Sequence, residues 1–454
     1  AGTQGHKRVQ RSRPESYQSE VEVSFRVAEE ELPLEIRGRI DGLDATQTPV
    51  LIEEIKTTTM AFDLVHEDHN PLHWAQAQCY AYIYAQQENL PKIRIHLTYY
   101  QLDSQTEKTF ERDFTLGELE VFFNDLITPY LAWYRKVRER HLQRDQSIQE
   151  LDFPYGDYRP GQRDMAVAVY KAIRDDDRLY AQAPTGVGKT IATLFPAIKA
   201  LGLGLAERIF YLTAKTPGRL IAEETLNDMR QAGLQFKSVT LTAKEKICFQ
   251  PVVNCDPEEC IFARNYFGKI KAALQEIDQQ DAFTRPVIER IARAYEICPF
   301  EFSLDLALWM DCIICDYNYA FDPRVYLRRF FDFNTGSNIF LIDEAHNLPD
   351  RARSMYSAEL DKQTVLALRR ALKEHLPGLA KDLNRINKLL LEKRKACQAE
   401  ELDALIEHEL PEDLLKAVWN FIQKAEDWLS LNQPAEFRQE LLDFYFACNN
   451  YLRT

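Results

Sequence analysis

The sequence predicts an α/β protein in which two sheet-containing regions precede a helical one. Strand-like runs alternate with helical patterns over residues 34–149. A second alternation contains a glycine-rich loop that opens a helix at residues 183–190, and an apolar run that ends in two acids at residues 339–344. Residues 350–454 are rich in Leu, Glu, Lys and Arg and read as helix almost throughout. Such periodicities in a chain of 454 residues indicate two to four domains.

Composition excludes several classes of protein. Hydrophobic residues are 45% and charged residues 28%, which is an ordinary globular balance. No run approaches the ~20 apolar residues of a membrane span, and the first ten residues, AGTQGHKRVQ, lack the apolar core of a signal peptide. A net charge of −14 argues against a surface coated in positive charge, although an enzyme can confine its basic residues to one groove. Nine cysteines without a secretion signal indicate a reducing, cytoplasmic compartment.

In the first region we expect two strands, LEIRGRIDGL and PVLIEEIKTT, around the turn-rich segment DATQTP. A helix over residues 71–89, two further strands (IRIHLTYYQL and EKTFERDFT) and a long helix over residues 116–149 complete it. LDFPYGDYR reads as a linker. In the second region, the segments RLYAQ, ERIFYLT and SNIFLIDEAH are expected to be strands.

The segment APTGVGKT, residues 183–190, has the chemistry of a phosphate-binding loop. Small residues allow backbone N–H groups to close around phosphate oxygens at a helix N-terminus. We expect Thr185, Gly186 and Gly188 to form this loop. Lys189 would neutralise the β- and γ-phosphates of ATP, and Thr190 would ligate Mg²⁺. The strict pattern begins with Gly, whereas this segment begins with Ala.

The apolar run before DEAH, residues 343–346, predicts a strand that delivers two carboxylates to the same nucleotide. Asp343 would hold Mg²⁺ through water, and Glu344 would be the base for the attacking water. His346 would couple the nucleotide state to the rest of the protein. Upstream, Gln162 has an amide that can pair with an adenine edge, or it simply lies at a helix start.

Cysteines cluster between these two motifs. No two of them are spaced as CxxC, so a zinc ribbon fits poorly, whereas four thiolates on an irregular loop can hold an iron–sulfur cluster. A separate CIIC segment lies in an apolar strand, and we interpret its two cysteines as packing residues. The four candidate cluster ligands are Cys248, Cys255, Cys260 and Cys298.

The first two strands carry a second group of acids. Glu54 and Lys56 are two residues apart and therefore share a strand face, whereas Glu53, the rival acid, faces the other side. Asp41 comes from the neighbouring strand. Two carboxylates on adjacent strands can grip a divalent metal, and Lys56 could orient water or stabilise charge on a phosphate. The alternatives are that Asp41 is a turn acid and Lys56 a solvated side chain.

This arrangement, D-x(12)-E-x-K, resembles the PD-(D/E)XK nucleases. QAQCY, residues 76–80, resembles the QxxxY motif of their RecB-like branch, which implies site roles for Gln76 and Tyr80. GTQGH, residues 2–6, resembles the upstream motif in which a histidine, here His6, adds a metal ligand. The resemblance implies Mg²⁺- or Mn²⁺-dependent DNA cleavage, while some domains of this fold keep the shape and lose catalysis.

The ordered motifs from residue 158 to residue 347 resemble the XPD/DinG helicases of superfamily 2, in which the Ala form of the phosphate loop is familiar. YLTAKTPGR resembles their single-strand-contacting motif, CPFE their last cluster-ligand segment, and DCIICDYNYAFDP the strand and loop after it. The resemblance implies a [4Fe–4S] cluster, ATP-driven movement on single-stranded or forked DNA, and 5′→3′ polarity.

The two resemblances together predict a fold class and a domain order. Residues 1–150 would form the nuclease domain, and residues 350–454 a helical arch domain. Between them, a RecA-like P-loop motor domain would be split by an iron–sulfur insert. Its parts are residues 151–245 for the first part of the motor, 246–300 for the cluster, and 301–349 for the second part of the motor.

The sequence therefore predicts a helicase–nuclease that acts in DNA repair or processing. The alternatives are a helicase whose nuclease fold is a non-catalytic DNA-binding module, and an ATP switch that acts on protein partners. After residue 346 we find neither Ser-Ala-Thr nor Gln-x-x-Gly-Arg-x-x-Arg, the usual marks of the second motor domain. We therefore expect the chain to be a fragment that binds nucleotide weakly and does not unwind DNA.

Overall fold

The computed structural model describes residues 2–27, 34–184, 186–332, 336–430 and 434–454. The chain forms two compact units, Ala1–Leu142 and Gln143–Thr454, and the boundary between them lies inside one long helix. Across the described ranges, no helix is both long enough and apolar enough to cross a membrane.

The first unit is built on a five-stranded sheet with the order β1-β2-β3-β4-β5. Only β3 and β4 are parallel, because helix α2 connects them across one face of the sheet. Its elements are α1 (Gly2–Arg11), β1 (Gln18–Val27), β2 (Leu34–Asp44), β3 (Val50–Thr58), α2 (Pro71–Gln87), β4 (Lys92–Gln101), β5 (Glu107–Thr115) and α3 (Leu116–Glu150), which continues into the second unit.

Alternation along β3 decides which side chains form the core. Ile52 packs with Trp74 and Ala77 of α2 on one face, and Ile55 packs with Val9 of α1 on the other. Helix α2 starts where the Asn70 side chain accepts a hydrogen bond from the backbone N–H of Leu72. The strands and helices expected for this region are present, and α1 and β1 are additional to them.

The second unit contains a parallel five-stranded sheet with the order β10-β6-β9-β7-β8. Helix α5 follows the glycine-rich loop, and its apolar face packs against β6 and β10. The strands are β6 (Arg208–Leu212), β7 (Ser238–Thr240), β8 (Ala282–Phe283), β9 (Cys312–Cys315) and β10 (Asn338–Ile342). The helices that alternate with them are α4 (Gln162–Arg174), α5 (Lys189–Gly202), α6 (Thr216–Gln231), α7 (Lys244–Ile247), α8 (Tyr266–Leu274), α9 (Arg285–Ala294), α10 (Pro299–Ala307), α11 (Asn318–Phe321) and α12 (Arg328–Phe331).

The C-terminal region is helical, as expected. Its core is formed by apolar side chains such as Leu368, Leu383, Phe421 and Phe444. The helices are α13 (Leu348–Met355), α14 (Lys362–Leu372), α15 (Pro377–Ala399), α16 (Glu412–Ser430) and α17 (Arg438–Arg453).

One expected strand is wrong. RLYAQ, residues 178–182, is not part of a strand in the structure. Leu179 is 42% exposed and Tyr180 is 90% exposed, so burial of their side chains does not stabilise an extended pairing. The buried CIIC segment does form a strand, β9, and its two cysteines are packing residues as expected.

Candidate functional sites

The predicted carboxylates meet where strands β2 and β3 separate. The two strands pair only from Gly42 to Asp44, whereas β3 pairs with β4 along its whole length. Beyond Gly42, an Asp41 side-chain oxygen accepts the backbone N–H of Ile55 at 2.8 Å. The Asp41 carboxylate thus lies between the separating strands, and we call this place the carboxylate fork.

Glu54 and Lys56 lie on one face of β3, as their spacing predicts. The Lys56 ammonium is 2.5 Å from a carboxylate oxygen of Glu54, whose side chain is only 2% exposed. Burial and the negative charge of Asp41 raise the pKa of the Glu54 carboxyl to about 7. The positive charge of Lys56 therefore offsets only part of the effect of burial and of Asp41 on the Glu54 pKa.

Helix α2 brings the predicted glutamine and tyrosine to the same place. Lys56 donates to the Gln76 side-chain oxygen at 3.0 Å, and the Gln76 amide donates to the Tyr80 hydroxyl at 3.2 Å. At Gly38 of β2, a Cβ would lie 2.3 Å from a ring carbon of Tyr80. The absence of a side chain at Gly38 is thus what allows the Tyr80 ring to lie against β2.

The predicted histidine also reaches the fork. His6 lies on α1, and its Nδ1 is 3.4 Å from an Asp41 oxygen. A hydrogen bond with Asp41 raises the pKa of His6. A Cβ on Gly5 would lie 2.5 Å from a Thr57 methyl carbon, so this glycine allows α1 to approach β3 closely.

The donor set of the fork has the chemistry that a divalent cation requires. Asp41 and Glu54 supply oxygen donors and His6 supplies an imidazole nitrogen, and a cation would relieve the charge that raises the Glu54 pKa. In the described ranges, no group of three or more His, Cys, Asp or Glu side chains is already arranged to hold a metal ion. At the fork, the Lys56 ammonium is the positive charge that lies beside the Glu54 carboxylate.

The glycine-rich loop of the second unit leads into α5 through backbone conformations that favour glycine. Gly186 and Gly188 have φ values of 88° and 85°. The Lys189 ammonium donates to the Ala183 carbonyl at 3.3 Å, and the Thr190 backbone carbonyl accepts a hydrogen bond from the Thr193 hydroxyl at 3.0 Å. Thr185, the remaining predicted loop residue, lies outside the described residues.

Strand β10 delivers the DEAH acids beside this loop, as the sequence predicts. A Glu344 carboxylate oxygen is 3.8 Å from the Lys189 ammonium, and His346 is 3.3 Å from the other oxygen. Asp343 accepts a hydrogen bond from the Thr213 hydroxyl at 3.3 Å. Burial and the charge of Glu344 raise the pKa of Asp343, and the Thr213 hydrogen bond and the charge of Lys189 offset part of this rise.

The Gln162 amide contacts the phosphate loop itself. Its nitrogen donates to the carbonyls of Val187 and Gly188 at 3.0 and 3.3 Å, and its oxygen accepts the backbone N–H of Arg159 at 3.0 Å. The residue is 3% exposed. The amide therefore fixes the loop, and its pairing with adenine stays a prediction.

The four clustered cysteines lie on one segment of the second unit. Cys248 follows α7, Cys255 and Cys260 lie in the turns before α8, and Cys298 precedes α10. Their side chains do not form a ready metal-binding group in the described structure. The structure therefore does not place the predicted ligands around a common point.

Lys244 makes this segment favourable for thiolates. Its ammonium is 3.8 Å from the Cys255 sulfur, and it also interacts electrostatically with Cys298. Burial raises the pKa of Cys298, but backbone N–H groups of Phe300 and Glu301 partly offset this by stabilising the thiolate. The positive charge and the four sulfur donors fit an iron–sulfur cluster.

A basic cleft of about 940 Å³ lies at the carboxyl ends of β6 and β9, where Thr213 and Asp316 line it. Three aromatic rings, those of Phe300, Tyr319 and Tyr326, also line it. The sequence did not reveal this convergence, because the basic residues come from distant segments. Eight of the lining residues are basic, in a chain of net charge −14: Lys215, Arg219, Lys244, Lys246, Arg324, Arg328, Arg329 and Arg351.

Comparison with known proteins gives two family matches. Residues 3–181 match the PD-(D/E)XK nuclease superfamily, and residues 234–365 match the DEAD_2 family. These matches confirm the resemblance to the nucleases and to XPD/DinG-like helicases of superfamily 2, and the α/β fold class with it.

The curated relatives are distant and longer. The General transcription and DNA repair factor IIH helicase subunit XPD/RAD3 of Saccharomyces cerevisiae is 26% identical over 329 residues, which cover 61% of this chain and 41% of that protein. The Regulator of telomere elongation helicase 1 homolog of Drosophila yakuba is 22% identical over 267 residues, or 47% of this chain and 27% of that protein. The chain thus spans less than half the length of these relatives. A solved structure titled XPD_Helicase aligns with a TM-score of 0.39 and 17% identity. The alignment covers 66% of this chain and 50% of the chain in that structure.

Proposed function

We propose that this chain, which carries a PD-(D/E)XK nuclease domain and an XPD/DinG-like helicase segment, acts in an ATP-dependent DNA helicase–nuclease. The nuclease domain would cut DNA with Mg²⁺ or Mn²⁺. The helicase segment would use ATP to move on single-stranded or forked DNA during DNA repair or processing. Polarity of 5′→3′ is carried over from the helicase family.

The observation that carries the nuclease proposal is the carboxylate fork. Residues from α1, β2, β3 and α2 converge there, and the buried Glu54 has a pKa raised to about 7. Carboxylates, an imidazole and an ammonium that converge on one point are the groups that metal-dependent cleavage requires. This favours catalysis over the alternative of a non-catalytic DNA-binding module. Metal-dependent cleavage of forked DNA, with Asp41→Ala as the comparison, separates the two.

The residues of the fork have distinct roles in this proposal. Asp41 and Glu54, with His6, would hold the divalent ion, which activates water and neutralises phosphate charge when it is bound. Lys56 brings a positive charge beside the reacting phosphate or water. Gln76 fixes the Lys56 ammonium, and Tyr80 in turn fixes the Gln76 amide.

The phosphate loop and the DEAH strand would together bind Mg·ATP. Lys189 faces the phosphates, Thr190 and Asp343 hold Mg²⁺, and Glu344 is the base for water. Gly186 and Gly188 allow the backbone to close around the phosphates. His346, which contacts Glu344, would report the nucleotide state to the rest of the motor.

Lys189→Ala is expected to weaken nucleotide binding to the intact chain by about 10- to 100-fold, because a hydrogen bond to a charged group contributes about 1.5–3 kcal/mol. Titration with a fluorescent ATP analogue in the presence of Mg²⁺ measures this. The matched control is Lys171→Ala, which removes an exposed lysine of α4. If Lys189→Ala leaves the affinity for nucleotide unchanged, the nucleotide does not bind at this loop.

The basic cleft is the proposed path of single-stranded DNA. Its basic side chains can pair with phosphates, and its aromatic rings can stack on bases. Lys215 and Lys246 are exposed members of this lining, so their ammonium groups are accessible to a phosphate chain.

Removal of Lys215 and Lys246 from this cleft is expected to lower the salt dependence of single-strand binding. The slope of log K against log salt should fall by about 0.7 for each lost phosphate contact. Fluorescence anisotropy with a labelled oligonucleotide at several salt concentrations measures the slope. Lys171→Ala with Lys381→Ala, two exposed lysines outside the cleft, should leave it unchanged. If the slope of log K against log salt is the same in both double variants, single-stranded DNA does not bind in this cleft.

We further propose that Cys248, Cys255, Cys260 and Cys298 hold a [4Fe–4S] cluster. The resemblance of the surrounding motifs and the position of Lys244 beside two of the thiols support this. The predicted domain order, with the cluster segment at residues 246–300 and the arch at residues 350–454, belongs to the same proposal.

A further inference from the structure

A buried acid next to the fork has no role in the proposed chemistry. Glu53 lies on the α1 face of β3, opposite to Glu54, and is 1% exposed. Four side-chain hydrogen bonds reach its two oxygens. Arg13 donates twice, at 2.9 and 2.6 Å, the Tyr17 hydroxyl donates at 2.7 Å, and the Thr98 hydroxyl donates at 2.5 Å.

These bonds satisfy both oxygens of a carboxylate in the interior. The Arg13 guanidinium, 2.6 Å from one of these oxygens, also supplies a positive charge beside it. The Arg13 Nη2 that contacts Glu53 also lies 2.9 Å from a carboxylate oxygen of Glu107 on β5. The guanidinium therefore joins the segment after α1 to two strands of the sheet.

The same segment ends against the strand that carries Asp41. A Cβ on Gly42 would lie 1.5 Å from the Tyr17 hydroxyl oxygen, so Tyr17 fits only because position 42 is glycine. Within α1, Gln10 donates to the Asp41 backbone carbonyl at 2.9 Å, and Val9 is fully buried against Ile55. All of these contacts set where α1 lies relative to the fork.

Helix α1 needs such support. It has ten residues, and an isolated helix of that length is marginal in water. His6 reaches Asp41 at 3.4 Å from this helix. A small displacement of α1 would therefore remove the imidazole from the fork without disturbing Asp41 or Glu54.

We propose that Glu53, through Arg13 and Tyr17, is a positioning residue that fixes α1 so that His6 can complete the cation site at Asp41. The inference rests on the proposed nuclease function. Two adjacent acids of one strand then have separate tasks: Glu54 faces the cation, and Glu53 holds the helix that brings the third ligand.

The test is a double-mutant cycle on Mn²⁺ binding by the intact chain. Titration calorimetry measures the binding, and the part of it that Asp41→Asn abolishes is assigned to the fork. Arg13→Lys keeps the charge but cannot reproduce the two parallel hydrogen bonds. It should weaken the binding assigned to the fork about 10-fold, the lower range for residues that orient metal ligands. In the His6→Ala background, Arg13→Lys should have no further effect. Arg94→Lys, which disrupts the Arg94–Asp113 pair between β4 and β5 of the same sheet, is the matched control and should bind as the wild type does.

Hydrogen exchange supplies a second readout, in which Arg13→Lys should accelerate exchange in α1 but not in α2. Tyr17→Phe removes one hydrogen bond and repeats the cycle if Arg13→Lys fails to fold. Equal weakening by Arg13→Lys with and without His6, or no weakening at all, would overturn the positioning role. If Asp41→Asn itself leaves Mn²⁺ binding unchanged, the proposed metal site fails and the positioning role fails with it.

Discussion

Asp41→Ala is expected to lower metal-dependent DNA cleavage by at least about 1,000-fold, which corresponds to about 4 kcal/mol of transition-state stabilisation. Asp41 is one of two carboxylates at the fork, and its side chain also accepts the Ile55 backbone N–H where the two strands separate. Its removal takes away both an anionic ligand and the group that orders this part of β3. Gel assays on labelled forked DNA with Mg²⁺ or Mn²⁺ measure the rate, and Glu54→Ala should have an effect of similar size.

Two comparisons make this result specific. Glu111→Ala removes an acid of β5 that lies 2.8 Å from His96, and it should cut normally. Lys56→Ala should keep Mn²⁺ binding and slow cleavage, because its charge acts on the phosphate or water and not as a ligand. DNA should remain bound in all of these variants. If Asp41→Ala cuts DNA as fast as the wild type does, the cleavage site lies elsewhere. If the wild type does not cut DNA, the alternative of a non-catalytic DNA-binding module is favoured.

The period of a strand accounts for what the sequence predicted at the fork. Alternation alone places Glu54 and Lys56 on one face and Glu53 on the other, and the structure agrees. Helical spacing likewise places Gln76 and Tyr80 on one face of α2, where they contact each other. Local periodicity was therefore sufficient wherever the partners lie on the same element or on strands joined by a hairpin.

Contacts between distant segments were not predictable in this way. Arg13 meets Glu53 across 40 residues, and Thr98 meets it across 45. Strand β1 is an additional element that the sequence analysis missed, although Val21, Val23, Phe25 and Val27 alternate with polar residues as in a half-buried strand. RLYAQ shows the opposite failure, because a short apolar segment forms a strand only where a sheet buries it.

The cluster-ligand role of the four cysteines rests on motif resemblance, because the structure does not place their sulfur atoms around a common point. Cys248 and Cys298 lie next to the ends of α7 and α10, and Cys255 and Cys260 lie in the loop between α7 and α8. A bound cluster contributes free energy to folding because its ligands are brought together only when it binds. The final arrangement of such ligands is thus set jointly by the chain and the inorganic group.

Cys260→Ser is accordingly expected to remove nearly all bound iron and the visible absorption that thiolate-to-iron charge transfer gives the wild-type protein. Cys260 is buried, so loss of the cluster should also loosen its surroundings and accelerate hydrogen exchange across residues 246–300. Cys255→Ser should behave in the same way, although its side chain is exposed. Cys397→Ser, a matched change on α15, should keep both iron and colour. Protein purified without air is needed for the measurement, and stoichiometric zinc without iron in that sample would show that these thiols serve a different metal.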